Sequence, residues 1–82
     1  MDKILENRDK LIKGKKQVMK GLLESRLQKV IIASDNEEHF NYEIVKKCEL
    51  TGTEYQISLS KAELGKICNI DVPCGVIGIE KN

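Results

Sequence analysis

Four successive apolar residues, Val30-Ile31-Ile32-Ala33, lie in a chain of 82 residues of which 33% are charged. A strand sends alternate side chains to opposite faces, so a run without a polar residue suits only a strand covered on both sides. That requirement constrains the fold more than any other feature of the chain. A strand is expected from Gln28 to Ala33, within a sheet that has helices above and below it. Cys74-Gly75-Val76-Ile77-Gly78-Ile79 carries a second β-branched run and reads as a last central strand.

The helices to cover such a sheet are legible from apolar spacing and end signals. Ile4, Leu5, Arg8, Leu11 and Ile12 are spaced for a first helix over residues 2–13, which Gly14 breaks. A second helix is expected from Lys15 to Glu24, with Val18, Met19, Leu22 and Leu23 on one face and Lys16, Gln17, Lys20 and Glu24 on the other. Asp35 and Glu38 are spaced like a cap and its reciprocal partner, and predict a helix starting there. Phe40, Ile44, Val45 and Cys48 form its apolar stripe, and Thr51-Gly52 forms its stop. Tyr55, Ile57 and Leu59 alternate with polar residues, as in a strand with one more exposed face. Ser60 and Glu63 form a Ser-x-x-Glu capping box for a short helix containing Leu64, Ile67 and Cys68, which Asn69 can end. Helices and strands in this alternation predict an α/β protein, a three-layer α/β/α sandwich with a small mixed sheet.

The length suits one domain, able to bury only about 60% of its unfolded surface and poorly suited to a deep enzyme cavity. No apolar run approaches the roughly 18 residues of a membrane span, and the amino terminus lacks the apolar core of a signal peptide, so a cytoplasmic monomer without membrane contact is expected. Cys48, Cys68 and Cys74 show neither a CxxC pair nor zinc-ligand spacing to a histidine. They read as small buried hydrophobes, and neither a metal nor another cofactor is expected. His39, the single histidine, has no recognisable nucleophile partner and reads as a helix-surface residue. No catalytic residue can be named.

The formal net charge is only +1, but it is unevenly distributed. Residues 1–30 hold nine Lys/Arg and four Asp/Glu, and residues 31–82 hold five and nine. A nearly neutral protein can thus present one positive surface to a polyanion. Gly14-Lys15-Lys16-Gln17-Val18-Met19-Lys20 is the candidate. It places a glycine and lysines where helix N–H groups are unpaired and the macrodipole is positive, which suits a phosphate. It is not a P-loop, which needs a second glycine five residues earlier and a Ser/Thr after the lysine. An ordinary solvated lysine face remains the alternative at this stage.

That stretch, together with Val30-Ile31-Ile32-Ala33-Ser34-Asp35 and Leu64-Gly65-Lys66-Ile67-Cys68-Asn69-Ile70-Asp71-Val72, resembles the kink-turn RNA-binding proteins related to ribosomal protein L-seven-Ae, particularly their short bacterial homologues. The three blocks occur in the family's order and spacing, and the likeness spans nearly the whole chain as one domain. Lys16-Gln17 has the form of some bacterial members, where others have Asn-Glu. The chain departs from the pattern at Asn69, where glycine is common, and at Pro73. The resemblance implies that Gly14, Lys15, Lys16, Gln17 and Lys20 face RNA at a helix end, and that Ile70, Asp71 and Val72 form a second contact loop. It implies stabilisation of a bent RNA, with the ribosome or another ribonucleoprotein as the setting. The competing reading is a protein-interaction adaptor in which the apolar loop docks a partner. Ile70 and Val72 have two readings of their own, sealing the core or covering a splayed-out nucleotide.

Overall fold

The computed structural model describes residues 11–68 and 73–81. Over these residues the chain runs β1 (Leu11–Lys13), α1 (Lys15–Leu23), β2 (Leu27–Ala33), α2 (Glu38–Thr51), β3 (Glu54–Ser58), α3 (Lys61–Ile67) and β4 (Val76–Glu80). The strands form one mixed sheet in the order β1-β4-β2-β3. β3 runs parallel to β2, whereas β4 is antiparallel to both β1 and β2.

The expected burial of β2 on both faces is observed. Val30 and Ile32 enter a core with Val18, Leu22, Ile44, Cys48 and Val76, beneath α1 and α2. Ile31 and Ala33 enter a second core with Leu64, Cys74, Ile77 and Ile79, beneath α3. The sheet is therefore the middle of three layers. Leu27 would face the α3 side by simple alternation, but an irregular register between Leu27 and Lys29 turns it to the α1 side. There it is hemmed by Gly21 of α1 and Gly78 of β4, where an added Cβ would meet Leu27 at 3.0 and 2.8 Å.

Several expectations are corrected. Leu11, Ile12 and Lys13 are not the end of a helix but a strand, paired with Ile79, Gly78 and Ile77. Leu11 packs on the α3 side and Ile12 on the α1 side, so two adjacent apolar residues serve opposite faces of the sheet. The rest of the helix expected over residues 2–13 lies outside the described residues. Leu23 is 67% exposed rather than buried, because the buried arc of α1 is centred on Val18, Gly21 and Leu22. Asp35 does not cap its own helix: α2 starts after Glu37 with no side-chain cap, and the Asp35 carboxylate accepts from Lys61 N–H at 2.9 Å, at the start of α3.

β3 is an edge strand exposed on both faces, with Tyr55 and Ile57 among its exposed residues, and Leu59 lies beyond its end. The Ser60–Glu63 capping box forms as expected. Glu63 N–H donates to Ser60 Oγ at 3.2 Å, and Ser60 N–H donates to the Glu63 carboxylate at 2.9 Å. The Ser60 N–H, and after it the Ser60 hydroxyl, hold the Glu63 carboxyl below its usual range. Gly52 ends α2 in the left-handed region at φ 67°, and the stop at Asn69 lies outside the described residues.

Candidate nucleic-acid interface

Gly14 joins β1 to α1 at φ 88° and ψ 152°, a backbone region that L side chains rarely adopt. Its N–H donates to Val76 O at 3.1 Å, extending the β1–β4 ladder by one bond, and its carbonyl accepts from Val18 N–H at 3.0 Å. A Cβ built on Gly14 meets no atom within 4 Å. Glycine is required here by the dihedral angle, and the space beside it is open to a ligand.

The first turn of α1 contains no acidic residue. Lys15 and Lys16 therefore add positive charge to the positive end of the helix dipole, an arrangement that an anion would relieve. The lysines are used differently. Lys15 turns sideways onto α2, where its ammonium pairs with the Glu43 carboxylate and lies 5.4 Å from the centre of the Phe40 ring. His39 Nε2 meets the other Glu43 oxygen at 2.7 Å. The Lys15 contact, more than His39, holds the Glu43 carboxyl below its usual range. Lys16, Gln17 and Lys20 stand exposed, and neither lysine forms an ion pair among the described residues. Lys16 and Lys20 are four residues apart and share a face. Four of the five expected contact positions on this stretch thus leave the helix end open, and Lys15 anchors it. Ile70, Asp71 and Val72 lie outside the described residues.

Sequence reading missed the surroundings of this helix end. Ala33 N–H donates to Gly75 O at 2.9 Å. The Asn36 amide donates to Gly75 O at 2.7 Å and to Asn41 Oδ1 at 2.9 Å, with Ala33 O at 3.2 Å, and the Asn41 amide donates to Ala33 O at 3.1 Å. Cys74 N–H donates to Lys61 O at 3.0 Å. These bonds gather the β2–α2 turn, the start of α3 and the segment before β4 around a cavity of about 400 Å³, lined by Asn36, Glu37, Phe40, Lys61 and Gly75. Phe40 connects this cavity to Lys15, and Val76, which follows the lining residue Gly75, accepts from Gly14 N–H. Gly75 is necessary to its shape, since a Cβ there would lie 2.9 Å from Asn36 Oδ1 and 3.0 Å from Phe40 Cζ. Only the glycine beside a β-branched run hinted at this in the sequence.

His39 is 80% exposed by side chain on α2, as expected. Cys48 and Cys74 are buried, Cys68 is half-buried, and all three are free thiols. Burial pushes the Cys48 and Cys68 thiols up to about 11.

The α/β/α sandwich on which this glycine-led helix end is mounted is a fold that known proteins share. A solved structure described as a Giardia lamblia 15.5kD RNA binding protein superposes with a TM-score of 0.88 at 27% identity, covering 96% of this chain and 68% of that one. A Bacillus halodurans protein described as of unknown function has the same fold, with a TM-score of 0.86 at 22% identity, covering 99% of this chain and 87% of its own. The chain belongs to the ribosomal protein L7Ae/L30e/S12e/Gadd45 family, whose model matches residues 2–82. Among its relatives, RNA-binding protein TTE2299 of Caldanaerobacter subterraneus is 38% identical over 63 residues, 77% of each chain. RNA-binding protein BH0128 of Halalkalibacterium halodurans is 33% identical over 75 residues, 87% of each chain.

Proposed function

We propose that this protein is an RNA-binding module, without a catalytic role, that recognises kink-turns and holds them bent. The observation that carries the reading is the amino end of α1: open space at Gly14, no acid in the first turn, and Lys16, Gln17 and Lys20 exposed together. The names of its relatives support the coarser part, binding to RNA.

Physical chemistry supports the finer part. The major groove of regular A-form RNA is too deep and narrow for side chains, so a protein reading base edges needs a place where the helix is interrupted. A sharp bend beside tandem G·A pairs opens that groove. Lys16 and Lys20 can then donate to guanine acceptors, Gln17 can donate and accept, and the α1 N–H groups can meet backbone phosphates. The cavity between Phe40, Asn36 and Lys61 offers an unstacked nucleotide an aromatic edge, an amide and a cation. A protein that binds only the bent form draws the population towards it.

On this reading the protein acts as a cytoplasmic monomer within a ribonucleoprotein such as the ribosome. A gel shift with a kink-turn RNA and a straight duplex of equal length tests it. Retardation of the kink-turn alone is expected, and equal retardation of both would reduce the protein to a general polyanion binder.

A further inference from the structure

Away from the RNA-facing end, three large apolar side chains stand in the open: Leu23 is 67% exposed, Tyr42 61% and Leu50 72%. Leu23 lies one turn beyond Met19 on α1, and Tyr42 and Leu50 lie on α2. Tyr42 and Leu50 line a groove of about 310 Å³ between the two helices, together with Met19, Glu43, Lys46 and Lys47. A single exposed leucine is ordinary, but several around one groove mark a surface that something covers.

The charges on its rim restrict what that something is. Lys46 and Lys47 border the groove on α2, Lys46 with its ammonium 5.6 Å from the centre of the Tyr42 ring, and neither forms an ion pair among the described residues. Its one carboxylate, Glu43, is occupied by Lys15 and His39. The groove is thus apolar at its floor and walls and positive at its rim. Phosphates of an RNA would neutralise the lysines but leave Leu23 and Leu50 in water. A second copy docked symmetrically on the same surface would set Lys46 and Lys47 against their own counterparts. Both requirements are met by an amphipathic helix with leucine-like residues along one stripe and Asp/Glu on either side.

The geometry points to this groove as a docking site for an acidic amphipathic helix of a partner protein, seated on α1 and α2 beside the RNA rather than in its place. The RNA-binding protein would then be an adaptor as well, joining a folded RNA to a protein through two surfaces of α1.

The test uses a fluorescent helical peptide of about five turns, with Leu at i, i+3, i+4 and i+7 and Glu elsewhere, and a counterpart with Lys in place of Glu. The full chain, labelled with nitrogen-15, is titrated with each. The acidic peptide is expected to bind saturably, to bind more weakly as salt is raised, and to shift the amides of residues 19–23 and 46–50 while leaving residues 14–17 unmoved. Combined Leu23→Ser and Leu50→Ser, two exposed positions that leave the core intact, is expected to weaken the peptide at least tenfold and leave kink-turn RNA binding unchanged. Equal binding of the lysine peptide, or no saturable binding of either, would overturn the proposal. So would RNA itself shifting the Leu23 and Leu50 amides, or sedimentation showing that a second copy covers the groove.

Discussion

At the residue scale, the lysines of α1 divide into two that stand exposed, Lys16 and Lys20, and one, Lys15, that pairs with Glu43 of α2. Lys16→Ala and Lys20→Ala are each expected to weaken kink-turn binding by about 1–3 kcal/mol, as loss of a base-edge contact does. Lys46→Ala and Lys47→Ala, on another helix, are the controls, and filter-binding titrations of all four decide the matter. Equal losses at the controls would dismiss the placement. Lys15→Ala is expected to cost less affinity than Lys16→Ala and to act on Glu43. Because Lys15 lowers the Glu43 carboxyl in the folded state, the pair's contribution is complete above the ordinary value of 4.5 and is lost as pH falls through the lowered one. Carbon-13 titration of the Glu43 carboxyl should show its midpoint rising in the Lys15 variant, and an unmoved midpoint would mean that the contact is not formed in solution. The division among these residues was only half legible. Spacing placed Lys16, Gln17 and Lys20 on one face, but the partner that removes Lys15 lies on α2 and has no mark in the sequence around it.

At the element scale, signals confined to one turn were readable, whereas those depending on distant strands were not. The Ser60–Glu63 capping box reads directly from its spacing because both partners belong to the same turn. Ser60→Ala should cost roughly 0.5–2 kcal/mol in chemical denaturation. Asp35, with the same kind of spacing, serves a helix that begins 26 residues later. Leu11 and Ile12 fit an amphipathic helix as well as a strand covered on both faces, and the choice is made by β4, whose open edge lies more than sixty residues along the chain. Glycines on the sheet give a sharper test. Gly78→Ala would place a methyl 2.8 Å from Leu27 Cδ1 and 3.2 Å from Ile12 Cγ1, and Leu27 has Gly21 of α1 on its other side. A destabilisation of about 1–3 kcal/mol is expected from this overpacking. A neutral result would show that α1 does not pack as closely on the sheet as described.

At the scale of the whole molecule, the layers follow from one run of apolar residues. Val30 to Ala33 required cover on both faces, and the order of helices and strands supplied it. No sequence pattern revealed that β3 would lie at an edge, because strand order depends on which partners β2 accepts. Cys48 and Cys74 are free thiols packed among aliphatic residues of the two cores, and among the described residues no cluster of ligating side chains could hold a metal. Thermal melts with and without reductant or chelator should therefore coincide, and a large drop under either would contradict the account. The second contact loop that the family resemblance implies, Ile70 to Val72, belongs to the same scale, since it falls in sequence between α3 and β4. Val72→Ala should lower RNA affinity and leave the melting temperature nearly unchanged, whereas a fall of several degrees with normal binding would assign that residue to the core.

The central claim is that the open end of α1 captures RNA in a bent state, and energy transfer between fluorophores on the two arms of a kink-turn reads that state directly. At low magnesium, the wild-type protein should raise transfer saturably, the combined Lys16→Ala and Lys20→Ala variant should need far more protein to do so, and a straight duplex should show no change. Unchanged transfer in the kink-turn on adding saturating wild-type protein, or an equal rise with the double variant, would contradict it.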